Sequence, residues 1–165
     1  MNELTPPDSH HLAAAEGWLE LGNHVEADKE LGKLSPETSA HPDVLEIRWQ
    51  ICAKEKKWPA CVDIGLAIMK GDPHRSFGWI HHSFALHELK RTQEAYSHLA
   101  TVADKFPDNW CIPYNLACYC AQLGRLDEAQ DWFKKAIAID DKIVPIQGID
   151  DPDLKPMWDS MQAPI

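Results

Sequence analysis

Asp127-Glu128-Ala129-Gln130-Asp131-Trp132-Phe133-Lys134-Lys135-Ala136-Ile137 is the stretch whose reading decides the fold. Ala129, Trp132, Phe133, Ala136 and Ile137 fall at i, i+3, i+4, i+7 and i+8, which places them on one face of an α-helix. Asp127 and Glu128 bring negative charge to its N-terminal end, where the helix dipole favours it. Upstream, Asp108 and Asn109 are capping residues, and Pro113 falls in a first helical turn that tolerates its missing N–H. Leu116, Cys120 and Leu123 then mark a second apolar stripe, which Gly124 ends. Two helices joined by a tight turn make an antiparallel hairpin.

Ala129 has counterparts at Ala95, Cys61 and Ala27, each 34 residues from the next. A narrow side chain is what two helices of one hairpin need where they approach closely, and its recurrence at this period is the mark of stacked hairpins. Residues 76–109 predict helices over 77–90 and 93–105, with Pro107 as the stop. Residues 42–75 predict helices over 44–56 and 59–70, ended by Gly71-Asp72-Pro73. Residues 8–41 predict helices over 9–21 and 25–34 around a Gly22-Asn23 turn. No stretch carries a strand pattern. Residues 1–7 read as a tail. Residues 142–165 depart from the repeat, and Asp151-Pro152 predicts a short helix over 152–161. A terminal repeat needs a cover for its apolar face, and this segment is the expected one.

The 165 residues suffice for one domain with a continuous core, without disulfide or metal support. Hydrophobic residues make up 44% and charged residues 25%, ordinary values for a globular protein. The 26 acidic and 16 basic residues leave a net charge of -10, which repels phosphate backbones and anionic lipid. Nucleic acid and membrane are therefore not the expected partners, whereas a basic peptide is compatible. The N-terminus lacks the features of a secretory signal, and no run is long enough for a spanning helix. Cys52, Cys61, Cys111, Cys118 and Cys120 are odd in number and fall mostly on core faces. Free thiols in a reducing cytoplasm are the expectation.

Three clusters invite a chemical reading. Cys111, Cys118 and Cys120 lack paired zinc spacing, and one helix cannot turn 118 and 120 toward one ion. Cys52 and Cys120 are equivalent core positions, so packing is the simpler role for them. His81, His82 and His87 sit at i, i+1 and i+6, and like His10 and His11 they miss the i, i+4 spacing of zinc-binding helices. Asp150, Asp151 and Asp153 lack the glycine and spacing of a calcium loop, and read as solvated, capping residues. No nucleophile elbow or phosphate loop is present. The expectation is a protein with no cofactor, no metal and no catalytic residue.

The units resemble the tetratricopeptide repeat family, whose period is 34 residues. Residues 76–109 supply Trp79, Ser83, Leu86, Ala95, Leu99 and Pro107, and residues 110–143 supply Leu116, Ala117, Ala129, Phe133 and Ala136. Pro113 stands for the aromatic opener in the latter unit, and Asp141 for the closing proline. Residues 8–41 match through Ala15, Trp18, Ala27 and Leu31. Residues 42–75 match at Cys61 and Pro73, but Trp49 stands where a small residue is expected and Gly65 where a large one is. The ending from Asp151 to Trp158 is similar to a segment that closes some bacterial arrays of this type.

The resemblance implies an all-α solenoid, a superhelix of about four hairpins over residues 8–141 with a C-terminal capping segment. It also implies a non-catalytic, cytoplasmic adaptor that binds a peptide or protein segment in a concave groove lined by the first helices of the hairpins. Carried onto this chain, the lining is Leu12, Glu16 and Glu20, then Asp43, Glu46 and Gln50. It continues with Phe77, Ile80, Phe84 and His87, then Tyr114, Cys118 and Gln122. Phe77, Ile80, Phe84 and Tyr114 are the expected anchors. Family members that clamp a terminal carboxylate use Lys, Asn and Arg, a set that Asn115 alone approaches here. Two further readings stand beside the adaptor: self-association through convex or terminal faces rich in tryptophan, and a thiol- or metal-dependent enzyme.

Overall fold

The computed structural model describes residues 4–162, and the described residues form ten α-helices and no strand. They divide into two compact units between His82 and Ser83. The first holds α1 (Asp8–Glu20), α2 (His24–Leu31), α3 (Pro42–Lys54), α4 (Trp58–Gly71) and the first half of α5 (Ser76–Glu88). The second holds the rest of α5, then α6 (Thr92–Ala100), α7 (Cys111–Gln122), α8 (Leu126–Ile139), α9 (Ile143–Ile149) and α10 (Lys155–Gln162).

The repeat is written most plainly in the backbone. Gly22, Lys56, Lys90 and Gly124 follow the first helices of the four hairpins, and all four have positive φ, of 77°, 56°, 63° and 75°. Each sits between the same two hydrogen bonds. The N–H after it reaches back to Trp18 (2.8 Å), Cys52 (2.9 Å), Leu86 (2.9 Å) or Cys120 (2.9 Å), and its own N–H reaches Leu19, Ala53, His87 or Ala121. This is the Schellman ending, which satisfies carbonyls that the helix leaves over. Two of the four use lysine in a conformation that favours glycine.

Ala27, Cys61, Ala95 and Ala129 are all 0% exposed, as close helix approach requires. In the first unit, Leu12, Ala15, Ala27, Leu31, Val44, Ile47 and Ile51 form one core. The Asp8 carboxylate closes the first hairpin by accepting from the Ser35 backbone N–H (3.0 Å) and hydroxyl (2.5 Å). Those bonds hold its pKa below the usual carboxylate range.

The two mismatches in residues 42–75 have a physical explanation. A Cβ on Gly65 would stand 2.9 Å from the His82 Cα, so α4 and α5 meet with no side chain between them. Trp49 is buried and stands edge-on to Phe77 and His81, with centroids at 6.0 and 4.4 Å.

In the second unit, Ser83, Leu116, Ala117 and Ala136 are 0% exposed and Phe133 is buried. The Ser83 hydroxyl meets the Tyr119 hydroxyl at 3.2 Å. Trp79, in α5, is only partly buried and donates to the Pro73 carbonyl at 3.1 Å, while Pro107 is exposed. The expected helix over 93–105 stops at Ala100, and Ala103–Lys105 is a separate 3-10 turn.

The C-terminal segment differs from expectation in two respects. Ile143–Ile149 forms a helix that no apolar period predicted. The expected helix over 152–161 begins at Lys155 instead. Asp151 does not cap it: its Oδ1 accepts from the Asp153 N–H, and i to i+3 bonds carry the chain through Leu154. Both helices lie against the last hairpin, with Val144, Leu154 and Met157 buried. A Cβ on Gly148 would strike the Phe133 ring at 2.6 Å, and Trp158 donates to the Gly148 carbonyl at 2.9 Å.

Candidate functional site

Five of the six expected lining residues from the first two hairpins converge on one cleft. Glu16, Leu19 and Glu20 of α1 face Asp43, Glu46, Ile47, Gln50 and Lys54 of α3 across a volume of about 430 Å³. Helical periodicity explains the grouping, because residues three, four and seven apart share a face. Leu12, the sixth, is buried in the core instead. Arg75, which no sequence motif marks, reaches Asp43 at 2.5 Å and Glu46 at 2.8 Å. Burial raises the Glu46 carboxyl above its ordinary value despite that guanidinium. Glu16 and Glu20 are exposed.

Further along the first unit, Phe77 stacks on His81 with centroids 3.6 Å apart, and Ile80 is buried. An exposed anchor at Ile80 is therefore not what the structure shows. The burial of His81 pushes its imidazole down to about 4, so the ring is neutral at physiological pH. Its Nδ1 lies 3.0 Å from the Phe77 carbonyl.

In the second unit four of the expected lining residues, His87, Tyr114, Cys118 and Gln122, meet the protein's own tail. Tyr114 donates its hydroxyl to Asp151 at 2.6 Å, and Gln122 donates to the Asp153 carbonyl at 2.9 Å. The His87 Nε2 lies 3.2 Å from the Asp153 carboxylate, while its Nδ1 faces Thr92 at 3.0 Å. Cys118 points its sulfur at Asp151, 3.8 Å away. His87, Tyr114 and Cys118 are buried, Phe84 is partly buried, and Gln122 is exposed. Tyr114 is thus not an open anchor, and Asp151 and Asp153 are half-buried bonding partners rather than solvated caps. Asp150 alone of the three is exposed. The hydrogen bond to His87 holds Asp153 below the usual carboxylate range.

The cysteines are free, and burial raises all five thiols, Cys61 and Cys120 to about 12. Each is a protonated thiol at neutral pH, a poor nucleophile and a poor metal ligand as it stands. Among the described residues, no three His, Cys, Asp or Glu side chains come together in a way that could hold a metal ion. No described helix is long and apolar enough to cross a membrane.

The tetratricopeptide repeat family model matches residues 86–143. A structure of PilF from Pseudomonas aeruginosa superposes over 93% of this chain and 69% of its own, with a TM-score of 0.77 and 17% identity. A thermophilic TPR protein of Thermus thermophilus superposes over 94% of this chain and 83% of its own, with a TM-score of 0.78 and 19% identity. MamA from Desulfovibrio magneticus RS-1 superposes over 96% of this chain and 93% of its own, with a TM-score of 0.72 and 15% identity. At such identities the likeness is one of fold. No curated protein matches the chain.

Proposed function

We propose that this chain, whose residues 86–143 match the tetratricopeptide repeat family model and whose all-α fold is shared with solved structures of such proteins, is a non-catalytic adaptor that grips a basic segment of another protein. One observation carries this reading: the cleft between α1 and α3, where Glu16, Glu20, Asp43 and Glu46 surround an apolar floor of Leu19 and Ile47. Four carboxylates stand against Lys54 in the lining and Arg75 at Asp43 and Glu46, a net negative wall whose exposed carboxylates are Glu16 and Glu20 of α1. A Lys or Arg next to an apolar side chain complements that wall in sign and shape. His87, Tyr114, Cys118 and Gln122, expected to continue the lining in the second unit, are engaged by Asp151 and Asp153, so the reading places recognition at the N-terminal hairpins. Five protonated thiols favour binding over chemistry and suit a reducing, cytoplasmic setting.

The test is fluorescence anisotropy with a labelled arginine-rich peptide that carries leucine anchors. Glu16→Gln with Glu20→Gln, both at exposed positions, should weaken binding about tenfold and flatten its salt dependence. Equal binding by the neutralised variant would remove the cleft from consideration.

A further inference from the structure

A cap on a helical array is expected to turn a polar face outward, because its task is to end the stacking of apolar surfaces. Here the cap does the opposite. The α9 sequence, Ile-Val-Pro-Ile-Gln-Gly-Ile, contains no charge and one polar side chain, Gln147. Its inner face is spent on the core: Val144 is buried, and Gly148 lies against Phe133. Its outer face carries Ile143, Ile146 and Ile149, which are 49%, 76% and 72% exposed. A helix with apolar residues on both its inner and its outer face is normally covered on both.

The exposed face continues into a cleft of about 760 Å³, whose apolar lining comes from Phe133, Ile137, Pro145, Ile149 and Trp158. Pro145 and Ile149 are four apart and belong to its wall, while Ile146 adjoins Ile149 one helical step around. The rim is acidic. Asp150, Asp151 and Asp159 line the cleft against Lys155 alone, and that ammonium is paired with Asp159 at 2.6 Å.

We propose that the outer face of α9 and this cleft form a second docking surface, separate from the α1–α3 cleft, for an amphipathic helix with basic flanks in a partner protein. The apolar stripe of that helix covers Ile146 and Ile149 and sets one anchor over Trp158, while its lysines or arginines meet the acidic rim. Charge decides the occupant. A second copy of this chain would bring the same rim against itself, between molecules that each carry -10.

The probe is a synthetic amphipathic helix of leucine and lysine, with a leucine–glutamate helix of the same pattern as control. Titrated into the full chain, the lysine helix should bind, and Ile146→Ser with Ile149→Ser should weaken it at least about tenfold. Both side chains are exposed, so the fold does not depend on them. The titrations are made in the Glu16→Gln, Glu20→Gln background, because a lysine helix is also a ligand for the cleft of the N-terminal hairpins and neutralising that cleft leaves the α9 surface to be read alone. Three results would overturn the proposal: a lysine helix that binds both proteins alike, a glutamate helix that binds as tightly as the lysine one, or sedimentation showing a dimer that the serine variant dissolves. The last would assign the face to a second copy.

Discussion

The Tyr114 hydroxyl, on the first helix of the last hairpin, donates to the Asp151 carboxylate of the tail at 2.6 Å. The bond joins residues 37 apart in sequence and belongs to a clasp that His87, Gln122 and Asp153 complete. The tail occupies this face, with Leu154 and Met157, just beyond the clasp, buried.

Tyr114→Phe keeps the ring and deletes the donor, leaving a half-buried carboxylate short of a partner. The expected cost is about 1.5 kcal/mol in urea unfolding. Amides of residues 151–158 should exchange faster with solvent, and unchanged exchange there would mean that the clasp does not hold the tail. Asp153 adds a pH dependence. Its pKa is depressed in the folded state, so its contribution is complete above the unfolded value of about 3.9 and fades as the pH falls through the lower folded one.

Lys56 and Lys90 hold left-handed backbone at positions that Gly22 and Gly124 fill without strain. The left-handed region costs a non-glycine residue about 1–2 kcal/mol, and the extra freedom of unfolded glycine returns part of the gain. Lys90→Gly should therefore raise unfolding stability by about 0.5–1 kcal/mol, with Lys56→Gly alike. A loss of stability in both would show that the lysine side chains make contacts worth more than the strain.

His81 is held neutral by burial, with its pKa pushed down to about 4. Because the unfolded value is about 6.5, stability is complete above that pH and falls as the pH drops toward the folded value. At pH 5 the loss from this residue is about 2 kcal/mol. His81→Phe can keep the stack on Phe77 and should remove that part of the slope between pH 7 and 5. Parallel wild-type and variant profiles would place the titration elsewhere.

The period was legible because Ala27, Cys61, Ala95 and Ala129 answer to one steric demand, the close approach of paired helices. The matching backbone period at residues 22, 56, 90 and 124 was half hidden, since lysine gives no sign of positive φ. Helix α9 escaped notice because Pro145 and Gly148 read as breakers and its apolar residues follow no single face. The lining of the α1–α3 cleft was legible from helical spacing within α1 and α3. What sequence could not show is which carboxylates meet which partners: Arg75 with Asp43, and His87 with Asp153, are brought together only by packing across 32 and 66 residues.

The four identical reversals mean that what recurs in this protein is a bend in the main chain, fixed by contacts within a few residues of itself. The residues around it differ from one reversal to the next, tryptophan, cysteine or leucine at one position and glycine or lysine at another, while the bend is the same. A loop insertion between hairpins is thus absorbed as slack, but one extra residue inside a reversal would rotate everything downstream off its seat.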